Sequence, residues 1–190
     1  MNQRPSRLNI ANAITVLRIA LVPVFLWQLL STESWIAPTR WISLSLFVLI
    51  AATDGMDGAI ARRRNLVTNL GKILDPIADK VLILGSLAAL SYIGAVPWWA
   101  TIVIAARELA VTVYRLTVAR HRIIPASAGG KLKTILQSIT IGLYVSPLAR
   151  FAPEAVVKIE LGLLSLTVAL TLLTGIQYFA AGINEKRQAE

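Results

Sequence analysis

The stretch DGMDGAIARRRNLVTNLGKILDPIADK, residues 54–80, places four aspartates and three consecutive arginines in a chain that is otherwise 56% hydrophobic, with a mean hydropathy of +0.66. Ionised side chains are costly in lipid, and within membrane segments they face a bundle interior or a wet cavity, so these four are candidates for function. Asp54 and Asp57 stand at i and i+3, and Asp75 and Asp79 at i and i+4. On helices each pair projects from one face. Gly58 and Ala61 continue the first face as small residues that let a backbone or ligand come close. The polar segment between the pairs ends at Gly71, which predicts a tight turn folding the second helix back on the first. All four carboxylates then converge.

Working outward, the apolar runs predict six helices, near residues 12–31, 38–62, 70–93, 97–120, 132–149 and 156–183. The reading is an all-α, polytopic membrane protein with six transmembrane helices and one domain over residues 1–190. Polar or proline- and glycine-bearing stretches at 31–38, 94–97, 125–130 and 147–153 divide the runs. The N-terminal apolar stretch has no small-residue cleavage site and is read as a retained first span. Before it, SRLNIANAITVLR, residues 6–18, is expected to begin as an amphipathic segment on the membrane surface. With no cysteine in the chain, disulfides and thiolate metal sites are excluded.

The net charge of +9 is read as lipid-facing rather than nucleic-acid-binding, because the basic residues collect in segments that flank spans. Arg4, Arg7, Arg62 to Arg64, Lys72, Arg120, Arg122, Lys131, Lys133, Lys186 and Arg187 fall on one side, against Arg40, Arg150 and Lys158 on the other. This places both termini, and the four aspartates, at the cytoplasmic face of the cell membrane. The five tryptophans lie at predicted helix ends as an aromatic belt, and His121 in ARHRI reads as a surface residue.

A self-repelling carboxylate cluster at neutral pH calls for a cation. Oxygen ligands without His or Cys favour Mg²⁺, Mn²⁺ or Ca²⁺, and two ions would suit an in-line phosphoryl displacement. The alternative, ion pairing with Arg62 to Arg64, is weakened because three adjacent arginines point in different directions on a helix.

The pattern D-x-x-D-G-x-x-A-R-x8-G-x-x-x-D-x-x-x-D, filled by Asp54, Asp57, Gly58, Ala61, Arg62, Gly71, Asp75 and Asp79, resembles the signature of the CDP-alcohol phosphatidyltransferases at every fixed position. The resemblance covers nearly the whole chain. It implies a six-helix membrane enzyme using Mg²⁺ or Mn²⁺ as a pair of ions, with Asp54, Asp57 and Asp75 as metal ligands and Asp79 as general base and further ligand. It also implies that Gly58, Ala61, Arg62, Thr68 and Gly71 line the CDP-diacylglycerol site, with Asn12 and Thr15 near the donor's entrance beside Arg18, which could equally anchor a lipid head. A homodimer is implied as well, with Gly162, Ser165 and Gly175 available for close helix packing.

A second constellation lies in AARELAVTVYRLTVARHRIIPASAGGKLKT, residues 105–134. Arg107 and Glu108 fall inside an apolar run, and Arg115 lies eight residues beyond Arg107 on nearly the same face. One reading is a buried Arg107–Glu108 contact with Arg115 snorkelling to the interface. The other is a cationic pocket of Arg107, Arg115, Lys131 and Lys133 for the phosphate of the acceptor. Within the family, NAITVLRI, ARE and PASAGGKLKT resemble the members that use sn-glycerol 3-phosphate. Inositol phosphate, or phosphatidylglycerol as in cardiolipin synthesis, remains the alternative acceptor. A membrane prenyltransferase is disfavoured because all four aspartates fall within residues 54–79, and a cation transporter because they gather at one membrane face.

Overall fold

A computed structural model describes residues 10–31, 38–63, 69–118 and 128–187, with side chains described for 13–31, 38–53, 77–114, 130, 132–149 and 151–180. These residues form six α-helices: α1 (Ile10–Leu30), α2 (Arg40–Arg63), α3 (Asn69–Tyr92), α4 (Trp98–Val118), α5 (Ala128–Val145) and α6 (Pro153–Arg187). A short 3₁₀ turn, Leu148–Arg150, precedes α6, and no strand occurs among the described residues. The all-helical reading holds, with element ends within four residues of the expected ones.

Local chemistry explains the boundaries. After α3 the chain turns at Gly94, whose φ of 78° suits a residue without a Cβ. There the Ala95 amide donates to the Leu90 carbonyl at 2.8 Å and the Gly94 amide to that of Ser91 at 3.1 Å, which caps the orphan carbonyls of α3. Pro147 stops α5, and Pro153 opens α6 at a position where a missing amide costs nothing. Glu154 in that first turn complements the positive end of the helix.

Helix α3 is the hub: it packs against α1, α2, α4 and α5, while α6 covers α4 and α5. The core joins Val22, Phe25 and Leu29 of α1 to Phe47 and Ile50 of α2, Leu82, Ile83, Leu87 and Leu90 of α3, and Ile104, Ile141 and Leu164 of the later helices. Polar side chains are buried alongside, including Thr15, Arg18, Arg40, Ser86, Glu108, Lys133, Gln137 and Thr140. Meanwhile Leu17, Trp27, Ile42, Leu49, Ile102, Val113, Ile135, Ile139, Leu161, Leu173 and Ile176 are exposed. Apolar outside and polar within suits a molecule whose solvent is lipid. Hydroxyl pairs join the helices: Ser91 with Thr101 at 2.7 Å, and Thr140 with Thr167 at 2.8 Å.

Two stretches, Ala13–Leu30 in α1 and Pro153–Ala180 in α6, are long and apolar enough to cross a membrane, and Arg40–Thr53 and Leu132–Val145 are shorter apolar segments. Two local expectations need correction. From Ile10 the supposed surface segment runs straight into α1, and its Thr15 and Arg18 are buried on the face that carries Val22 and Phe25. Arg40, expected among the basic residues flanking the opposite membrane face, begins α2 with 1% exposure, and its Nη1 donates to the Tyr144 carbonyl at 3.4 Å.

Candidate functional site

Asp79 stands on the central helix and opens into a cavity of about 280 Å³. Arg18 of α1, Ala51 of α2, Leu82 and Ile83 of α3, and Thr134 and Ser138 of α5 share its wall. The cavity therefore offers a carboxylate, a guanidinium and two hydroxyls against an apolar background, a combination suited to a substrate with a charged head and a hydrophobic body. Arg18 is only 1% exposed, so the lipid-head-anchor reading gives way to a place inside the bundle.

The other carboxylates are placed by the backbone. Positions 54 and 57 lie one turn apart in the second half of α2, and 75 and 79 one turn apart on α3, the helix packed beside it. The side chains of Asp54, Asp57 and Asp75 lie outside the described residues, as do those of Asn12, Ala61, Arg62, Arg115 and Lys131. Thr68 lies wholly outside them, whereas Gly58 and Gly71 fall within α2 and α3. Among the described residues no three His, Cys, Asp or Glu side chains gather as a metal cluster. The donor chemistry nonetheless fits a hard divalent cation, since every candidate ligand is a carboxylate on one of two adjacent helices.

Next to Asp79 the structure builds a charge cluster larger than either expectation. Glu108 of α4, 2% exposed, accepts from Lys80 of α3, from Lys133 of α5 and from Arg107, the last at 3.1 Å. Arg107 Nη2 also donates to Thr174 Oγ1 of α6 at 3.0 Å. The Lys80 ammonium lies 3.6 Å from Asp79 Oδ2, which links the cluster to the cavity. The expected Arg107–Glu108 contact is thus present, and it brings together Arg107 and Lys133 of the expected cationic set.

Lys80 escaped the sequence reading, although it follows Asp79 directly. Consecutive helical residues diverge by about 100°, and that offset sends Lys80 toward α4 while Asp79 turns to the cavity. Gly175, expected to bring helices together, makes room instead for the Arg107 side chain: a Cβ there would sit 3.0 Å from Arg107 Cγ.

Residues 8–176 match the family model described as CDP-alcohol phosphatidyltransferase. The chain is 42% identical over 177 residues to a Mycobacterium tuberculosis protein named "Probable phosphatidylglycerophosphate synthase", covering 93% of this chain and 83% of that one. It is 37% identical to the CDP-diacylglycerol–glycerol-3-phosphate 3-phosphatidyltransferase of Bacillus subtilis, covering 90% and 94% of the two chains. A CMP-forming cardiolipin synthase of Streptomyces coelicolor is also 37% identical, but over 60% of this chain and 53% of its own.

Proposed function

The chain belongs to the CDP-alcohol phosphatidyltransferase family, and from that membership we propose that it transfers the phosphatidyl group of CDP-diacylglycerol to sn-glycerol 3-phosphate, giving phosphatidylglycerophosphate and CMP. It is a transferase of phospholipid biosynthesis. The observation that carries the acceptor is the buried cluster beside Asp79, where Lys80, Arg107 and Lys133 surround a single carboxylate. Lys80, Arg107 and Lys133 set against Glu108 and the neighbouring Asp79 leave a net positive charge in a poorly solvated site. A phosphate monoester, carrying roughly −1.5 to −2 near neutral pH, answers that excess. The extended match to glycerol-3-phosphate-using relatives agrees with it.

The chain's own residues have distinct tasks. Asp79 accepts the proton of the acceptor hydroxyl as its oxygen bonds to the phosphorus esterified to diacylglycerol, and the bond from that phosphorus to the CMP oxygen breaks. Arg18, in the same cavity, orients the donor head, while Leu82 and Ile83 exclude water that would otherwise hydrolyse the donor. Gly58 and Gly71, with Ala61, Arg62, Thr68, Asn12 and Thr15, form the remaining donor surface. Asp54, Asp57, Asp75 and Asp79 would hold the divalent cation, a pair of Mg²⁺ or Mn²⁺ ions, and when bound it would supply positive charge against the diphosphate. The six helices all cross the membrane, both termini and the aspartates face the cytoplasm, and two copies associate as a homodimer.

The test is an acceptor panel. Membranes containing the protein receive CDP-diacylglycerol with glycerol 3-phosphate, inositol phosphate, inositol, serine or phosphatidylglycerol, and CMP and the new lipid are measured. CMP release that depends on glycerol 3-phosphate supports the reading. Turnover with phosphatidylglycerol instead would make it a cardiolipin-forming enzyme, and ion flux without CMP release would make it a transporter.

A further inference from the structure

Glu108 is an anion at the centre of a site read as anion-binding, and its partners explain why. Lys80 arrives from α3, Lys133 from α5, and Arg107 from the residue beside it on α4. Arg107 is held in turn by the Thr174 hydroxyl and passes over Gly175, where an added Cβ would come to 3.0 Å from its Cγ. Without Glu108 three cations on three helices would repel one another and separate. With it, they are held as a ring before any substrate arrives.

Resting on the phosphatidyl-transfer reading above, we propose that Glu108 is the positioning residue of the acceptor subsite, fixing Lys80, Arg107 and Lys133 as one ring, and that Lys80 binds the acceptor phosphate directly beside Asp79. Lys80 is the member that sets geometry. Its ammonium touches Glu108 and lies 3.6 Å from Asp79 Oδ2, so a short phosphorylated alcohol seated on it brings a hydroxyl within reach of the carboxylate that takes the proton.

Steady-state CMP release by the full-length enzyme, with donor and acceptor varied in turn, separates these roles. The wild type comes first: absence of glycerol 3-phosphate-dependent CMP would end the acceptor reading itself, whatever the variants do. Given that activity, Lys80→Met is expected to raise the KM for glycerol 3-phosphate by about ten- to a hundredfold, the range for losing a charge-assisted contact. Its KM for CDP-diacylglycerol should move less than about threefold, because the lost contact belongs to one substrate. Lys80→Arg should recover most of the loss.

Glu108→Gln should behave differently, lowering kcat by about a hundredfold through misplacement while the acceptor KM stays level or falls, since the ring gains charge. The double variant Lys80→Met/Glu108→Gln keeps the ring's net charge. A purely structural pair would there regain the wild-type acceptor KM, whereas the proposal requires the Lys80→Met defect to persist. An unchanged acceptor KM in Lys80→Met, equal losses toward both substrates, or recovery in the double variant overturns the inference. So does failure of both Lys80→Met and Lys80→Arg to accumulate as folded protein, because Lys80 would then be structural.

Discussion

Adding a single methyl group at Gly175 tests how tightly the charge cluster beside Asp79 is braced. In Gly175→Ala the new Cβ would lie 3.0 Å from Arg107 Cγ, 3.2 Å from Nε and 3.7 Å from Cδ. Carbon pairs settle at about 3.5–4.0 Å, so the arginine must give by a few tenths of an ångström. It has little slack, because Nη1 is held by Glu108 at 3.1 Å and Nη2 by Thr174 at 3.0 Å. Taken up at either hydrogen bond, that shift costs at most about 1.5–3 kcal/mol, the worth of a hydrogen bond to a charged group. Replacing glycine by alanine inside a helix returns about 1 kcal/mol. The net loss is at most about 0.5–2 kcal/mol, or a fall of roughly 1–8 °C in Tm for a chain of this size. The KM for glycerol 3-phosphate should rise about tenfold with it, since Arg107 no longer points at the ring. Thermal unfolding in detergent micelles and two-substrate kinetics read both effects. Gly162→Ala is the control, because nothing lies within 4 Å of its added Cβ, and it should be neutral or slightly stabilising. An unchanged Tm and an unchanged acceptor KM in Gly175→Ala would refute the bracing argument.

Three further outcomes are expected. Asp54→Asn, Asp57→Asn and Asp75→Asn should each abolish turnover by weakening metal binding, with partial rescue at high Mg²⁺, and normal metal dependence in all three would remove them from the site. In a chain with no native cysteine, single cysteines at position 66 should be labelled from the cytoplasmic side and at position 154 from the opposite side, and the reverse pattern would invert the topology. Gly94→Ala, at a φ of 78°, should destabilise the protein by about 1–2 kcal/mol without changing either KM, as measured by thermal unfolding and kinetics.

Much of this molecule is written in local patterns. Apolar runs and prolines marked all six helices, because each helix carries a long apolar run and Pro97, Pro147 and Pro153 punctuate them. One boundary ran against propensity: α5 begins at Ala128 and carries Gly129 and Gly130 as helix, although glycines there read as a loop. The aspartate pairs were legible from spacing alone, since a helix turns i and i+3 or i+4 onto one face. Lys80 was not, because its partner Glu108 lies 28 residues along the chain and only the packing of α3 on α4 brings them together. Arg40 shows the same gap: its contact with the Tyr144 carbonyl spans 104 residues, and no local pattern marks it as part of the core.

The central claim, attack by the acceptor hydroxyl on the lipid-linked phosphorus, can be followed atom by atom. Glycerol 3-phosphate labelled with ¹⁸O in its 1-hydroxyl is incubated with CDP-diacylglycerol and the enzyme, and the products are weighed by mass spectrometry. The account predicts that the label is retained in phosphatidylglycerophosphate and that CMP carries none, because Asp79 removes only the proton and the labelled oxygen becomes the new phosphodiester bridge. A labelled cytidine 5′-phosphate diester of glycerol 3-phosphate appearing together with phosphatidic acid would place the attack on the other phosphorus and contradict the account.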